Sequence, residues 1–328
     1  MSFEMLNKRS FFRLLAQVSL FAVVVWFLVS RLQIDEVVPA LKSFSFLPLV
    51  LATTFMILRF VLLGLRWSLS LTTNRPPLYW SILTEWRILF LEFVIPIPDA
   101  EDVFRIMLLK LRNVQASAAI RGIIRMRIAG ITVLVSLLLL FFLSWGQLVL
   151  GQKSTALYSI IAVFILLILP FADYFLRLSV VIIRHIPKIG HPLVKTINEA
   201  LLEPKKSGLI AVLIFISIAQ AMVQASVIFV LLGEMNQSVS FLDLLILVPL
   251  LNLSFILPLS LQGFGLPEAC LVLMLPYFGV PLEQATAVGL VHLLIYSTMI
   301  FIGACLFLMS SELTLKGIYD MFRKPKDS

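Results

Sequence analysis

A chain of 328 residues with 60% hydrophobic residues, 13% charged residues and a mean hydropathy of +1.04 excludes a soluble domain, where about 25% charged residues is usual. The net charge of +8 comes without a basic-aromatic patch, so it is assigned to membrane-flanking loops and not to nucleic-acid binding. The two cysteines, Cys270 and Cys305, both sit in apolar runs, which excludes a disulfide framework or a thiolate metal site.

Crossing about 30 Å of hydrocarbon takes about 20 apolar residues in a helix. The first such run covers about 12–30 behind Lys8, Arg9 and Arg13, and no small-residue cleavage site follows it, so it reads as a retained span. A second span is expected over about 47–65, interrupted by Arg59, with Arg66 in the segment behind it. A polar-flanked apolar run follows over about 79–97, and a short helix is expected from the Asp99 cap onward. Long spans are expected over about 118–146, 156–176 and 208–232. A run over about 241–258, a shorter one over about 267–280 and a last span over about 282–309 complete the chain. All are read as helices, because an open sheet edge cannot sit in lipid.

Basic residues orient these spans. The N-terminus, the Arg105–Arg121 segment, the loop over about 177–207 and the tail over 311–328 are rich in Lys and Arg, while the connection near 233–240 has none. If every run crossed the bilayer, the Arg105–Arg121 cluster would lie outside, against the positive-inside bias. The conflict disappears if about 79–112 is a re-entrant hairpin entering from the cytoplasm and about 241–280 is one entering from outside. The expected fold is therefore an all-α integral membrane protein, a polytopic bundle of about six full spans and two re-entrant hairpins in an inverted repeat. The first repeat covers about 47–146 and the second about 208–310, within a single transmembrane domain. Both termini are expected in the cytoplasm. Broken helices of this kind meet near the midplane of many transporters, where substrate binds.

The candidate site residues lie at the hairpin tips. "PIPDAEDVFR" places Asp99, Glu101, Asp102 and Arg105 at a helix start, with Glu101 four and Asp102 three residues before the arginine. Glu85 and Glu92 share a face on the helix leading to that tip. Arg125 and Arg127 lie inside the following span, where a guanidinium fork suits hairpin acids or a lipid phosphate. The second tip, "PLSLQGFGLPE", contributes Ser260, Gly263, Gly265 and Glu268, its glycines permitting a tight turn with open backbone N–H groups. Gln220, Gln224, Asn252 and His292 read as interhelical hydrogen-bonding residues. No catalytic motif, cofactor signature or metal spacing is found among the three histidines, and D-x-E-D alone is a weak Mg²⁺ signal.

At these hairpins the chain resembles the flippase-like transmembrane region of lysylphosphatidylglycerol synthetases. Pro258, Ser260, Gly263, Gly265 and Glu268 match the family's Pro-x-Ser-x-x-Gly-x-Gly-x-x-Glu pattern in full. Pro96, Asp102 and Arg105 match its other pattern, with Ala100 and Glu101 where the family has Gly-Gly. Arg127, Ala129 and Gly130 fit a third, with Met126 in place of a glutamate. The resemblance implies lipid translocation or handling, since the aminoacylating activity of that family resides in a separate soluble domain, and no segment of that kind is read here. The expected function is transfer of an anionic lipid or lipid-linked head group across the cytoplasmic membrane, with no cofactor and no metal. Two further readings stay open: a non-transporting partner of an envelope-lipid enzyme, with or without homo-oligomerisation, and a Mg²⁺-dependent lipid-modifying enzyme.

Overall fold

The computed structural model describes residues 34–94, 100–146, 149, 151–168, 207–256 and 265–310. The first expected span, the basic loop over about 177–207, the tail, and the tip residues Asp99, Ser260 and Gly263 lie outside them. The described residues form helices joined by turns, with no strand among them.

A short helix α1 (Ile34–Lys42) precedes the long α2 (Phe46–Ser70). Next come α3 (Leu78–Val94) and α4 (Ala100–Leu111), then α5 (Ala116–Ser144). After α6 (Gln152–Ile168), the same order recurs: a long α7 (Ser207–Glu234), a broken pair α8 (Phe241–Ile256) and α9 (Leu266–Met274), and a long α10 (Leu282–Leu308). A 3-10 turn, Leu275–Phe278, extends α9 and ends at Gly279. Four of these helices, α2, α5, α7 and α10, are long and apolar enough to cross a membrane. With its 17 residues, or about 25 Å at 1.5 Å per residue, α6 falls short of the bilayer core over its described length.

The apolar runs become helices close to their expected limits because lipid leaves the backbone no other way to satisfy its own polar groups. Two differences matter. The second span does not stop near residue 65. It continues to Ser70, so Arg66 lies within a helix and not in a loop behind it. The connection after the first expected span contains α1, whose Val37 is buried and whose Ala40 and Leu41 pack on the main core beside α10.

The halves interlock. Helix α2 packs on α7, the first helix of each pair packs on the last long helix of the other half (α3 on α10, α8 on α5), and the second helix of each pair leans on the long helix that follows it. Close approaches fix the levels. Gly122, early in α5, sits against Trp67, Ser70 and Leu71 around the end of α2. Gln237, just past α7, donates to Gln284 at the start of α10 (2.7 Å), and Glu234 at the end of α7 accepts from the Ser45 backbone before α2 (3.1 Å). Trp145, just past α5, donates its indole N–H to Asp243 at the start of α8 (2.8 Å). Ser240 caps α8, accepting from the Asp243 N–H at 3.1 Å. One face of the bundle thus carries the end of α2 and the start of α5. The opposite face carries the start of α2, the end of α5 and the connections on either side of the second broken pair.

The outward surface is apolar. Ile160, Phe164 and Leu167 on α6 and Leu294 and Phe301 on α10 are more than 60% exposed, as side chains facing acyl chains are. Glu85, Arg105 and Glu268 are buried instead.

Candidate functional site

Helix α4 begins with Glu101 and Asp102 in its first turn and ends with Lys110 in its last, an order that suits its dipole. One turn in stands Arg105, 2% exposed. Its Nε donates to Glu85 Oε1 (3.1 Å) and its Nη2 to Glu85 Oε2 (2.8 Å), a two-pronged pairing across the α3–α4 break. The same guanidinium pairs with Glu101 and, through Nη1, with Asp102 Oδ1 at 3.2 Å. Its carbon lies 5.4 Å from the centre of the Trp67 ring on α2, in reach of a cation–π contact.

The second oxygen of Asp102 leads onward. Arg127 of α5 donates to it from Nε (3.0 Å) and Nη2 (2.8 Å). Unlike Arg105, this arginine is open to the surface of the bundle, its side chain 45% exposed. Glu85, Arg105, Asp102 and Arg127 therefore form one ionic chain across α3, α4 and α5.

Two cations of α2 join this cluster. Arg66 donates to Ser217 Oγ of α7 at 3.0 Å, its guanidinium lies beside Gly130 of α5, and it is within electrostatic reach of Arg105, Glu101, Glu85 and Arg59. Arg59 is within reach of Glu101 and of Tyr296 on α10. Glu92 on α3 is half-buried with Glu101, Arg105, Glu85 and Asp102 as its electrostatic neighbours. Four arginines and four carboxylates thus share one interior region and balance in formal charge. Without that balance, burial of so many ions would cost several kcal/mol for each.

Arg125, by contrast, is held at the end of α2, donating to the Ser70 carbonyl (3.1 Å) and to Thr72 Oγ1 (3.3 Å). Those bonds staple α5 to α2.

At the second break Gly265 takes φ +84°, a left-handed conformation that favours glycine, and α9 starts directly behind it. Glu268, in the first turn of α9, is 7% exposed, and its Oε1 lies 2.8 Å from Nδ1 of His292 on α10. His292 thus makes an interhelical bond. Gly289 of α10 lets the two helices close on each other, with Val272 Cγ2 and the Glu268 carbonyl oxygen 3.2 and 3.4 Å from where a Cβ would stand. Tyr296, one turn beyond His292, is buried and within electrostatic reach of Glu268 on one side and of Arg59, Glu92 and Glu101 on the other. Tyr296 thus links charged residues of both helix pairs.

Sequence reasoning missed Arg66 and Tyr296 as members of this region and named Arg59 only as an interruption. The signal was present: Arg59 and Arg66 are seven residues apart, two turns on one helical face. Among the described residues, no group of three His, Cys, Asp or Glu side chains is placed to hold a metal ion.

Crossing-length apolar helices around a buried, charge-balanced interior define a multi-pass membrane protein. The chain belongs to the family described as the lysylphosphatidylglycerol synthase TM region, whose model matches residues 14–303. That family ties it to a membrane lipid-related role. No curated protein matches the chain.

Proposed function

We propose that this chain moves a lipid head group through its interior, with the two broken helix pairs acting as re-entrant hairpins of opposite orientation. The observation that carries this reading is the half-open ionic chain: Arg105 is enclosed by three carboxylates, whereas Arg127, at the other end, is exposed and held through Asp102. A head-group phosphate arriving at Arg127 would replace Asp102 there with the same two-pronged geometry. Arg66 and Arg59 offer the next cations along α2. Arg105 would act as the fixed centre that keeps Glu85, Glu101 and Asp102 in place. The acyl chains would remain in the bilayer against the apolar outer face. Saturation of Glu101 and Asp102 by arginine favours this reading over a metal-dependent lipid-modifying enzyme.

Leaflet transfer of fluorescent phosphatidylglycerol in proteoliposomes of the full chain tests it. Arg127→Ala and Arg66→Ala are each expected to slow transfer about tenfold or more, since a hydrogen bond to a charged group contributes about 1.5–3 kcal/mol. Absence of transfer for every lipid in a panel of head groups, or transfer untouched in the double variant, would overturn the proposal.

The hairpin arrangement has its own test. With Cys270 and Cys305 replaced by alanine, single cysteines at Thr73 and Gln115 are expected to react with a membrane-impermeant maleimide from one side. Those at Ser238 and Tyr277 should react from the other. All four positions are exposed and flank the two broken pairs. Opposite-side labelling within either pair would reject the re-entrant hairpins.

A further inference from the structure

We propose that Glu268 and His292 form a proton-binding site, so that the second hairpin carries a proton as a coupling ion. The pair is 7% and 3% exposed, and a single bond of 2.8 Å joins Oε1 to Nδ1. The two outward atoms, Glu268 Oε2 and His292 Nε2, are also buried and have no hydrogen-bond partner among the described residues. A pair serving only to fasten α9 to α10 would be expected to have those atoms satisfied, because an unpaired buried polar atom is costly. The cost is understandable if one of them takes up and releases a proton.

The step balances simply. With the proton bound, the pair is a carboxylate and an imidazolium, neutral overall, with the Nδ1–H donating to Oε1. Loss of the Nε2 proton to water leaves a neutral imidazole still bonded through Nδ1–H, and one net negative charge.

The surroundings give the charge change something to act on. From α10, Tyr296 faces the same region; through it come Arg59 of α2, Glu92 of α3 and Glu101 of α4. The acids on the other packed helices are engaged elsewhere. Asp243 of α8 is bonded to Trp145 and Ser240, while Glu234 of α7 and Glu283 of α10 line a separate pocket beneath α1. The deprotonated pair adds a negative charge to the region that Tyr296 faces. It repels Glu92, Glu101 and an arriving anionic head group, and attracts Arg59. Glu268 also stands three residues beyond the left-handed turn at Gly265.

The test has two readouts. The first does not depend on transport. In nanodiscs of the full chain, the ¹⁵N resonances of His292, assigned by their loss in His292→Gln, are expected to shift with pH as the proton binds and leaves. Glu268→Gln removes the carboxylate to which Nδ1 bonds, so the pH response of those resonances should change. Absence of that shift with pH in the unmodified protein overturns the proposal even if the variant fails to fold, and so does an unchanged pH response in Glu268→Gln. The second readout rests on the transport reading above. Transfer of fluorescent phosphatidylglycerol should slow as pH rises, by up to about tenfold per unit, the limit for one proton. Both Glu268→Gln and His292→Gln should flatten that profile. Flat transfer in the unmodified protein overturns the coupling. If the lipid does not cross at all while His292 still titrates as stated, the transport reading falls and the proton site stands.

Discussion

Replacing Arg105 by alanine is expected to cost the folded protein about 3–5 kcal/mol, the usual penalty for breaking a buried ion pair from one side. The reason lies in what remains. Glu85 is 2% exposed and loses both of its bonds, and Glu101 and Asp102 lose a shared cation in the same step. Three carboxylates would then face one another with only the cations of α2 and α5 nearby. Arg105→Lys should recover only part of the loss. An ammonium is a compact point charge that cannot grip Glu85 with two prongs while reaching Asp102 and lying over Trp67. Arg105→Ala combined with Glu85→Gln should be less damaging than the sum of the two single changes, because the groups share one network. Heating the full chain in detergent and measuring the fraction that remains monodisperse checks this. A fall in apparent melting temperature on the order of 10 °C is expected for the alanine variant. An unchanged melting temperature would mean that the ionic chain does not hold α3 to α4.

Much of the bundle was legible because membrane helices are written in a coarse code. Expected spans over about 208–232 and 282–309 correspond to Ser207–Glu234 and Leu282–Leu308, since a long apolar run in lipid has one backbone solution. Helix α1 was not legible. Asp35, Glu36 and Pro39 read as loop residues, and the helix holds its place only by docking Val37 and Leu41 beside α10. The site divides in the same way. The contacts of Arg105 with Glu101 and Asp102 follow from spacing on one helix. Its contact with Glu85, twenty residues earlier, depends on how α3 is rotated against α4, which side-chain packing decides. His292 and Glu268 are a second case: each was noticed alone, and only the approach at Gly289 makes them partners. Arg66 was lost for a simpler reason. A polar residue near a span's end reads as a boundary, whereas here the helix runs on to Ser70 and turns that arginine inward.

Gly303→Leu is expected to prevent recovery of a folded bundle, and Gly303→Ala to lower its stability clearly. A Cβ at this position of α10 would stand 2.1 Å from the Trp86 carbonyl oxygen, 3.0 Å from its carbon and 3.3 Å from Phe90 Cβ. The first two atoms are backbone inside α3, so no rotamer change can clear them. Helix α3 would have to move as a body. It is equally constrained on its other side, where Gly64 of α2 leaves no room for a Cβ, the Ile82 Cα lying 2.5 Å from that position. Small residues permit such approaches, and the close van der Waals packing they allow drives association where lipid supplies no hydrophobic force between helices. Overpacking costs about 1–3 kcal/mol when side chains can yield, and more is expected where only backbone can. The consequence reaches the ionic chain: Glu85 sits between Ile82 and Trp86 on the clamped helix, so shifting α3 away from α10 pulls its carboxylate off Arg105. Gly303→Ala should therefore lose stability that Glu85→Gln no longer adds to in full, a non-additivity expected of coupled sites. Gly208, early in α7 with no atom of the described residues within 4 Å of a would-be Cβ, is the control, and its alanine variant should melt with or slightly above the unmodified chain. If Gly303→Ala melts there too, α3 and α10 do not approach backbone to backbone, and the clamp that positions Glu85 is absent.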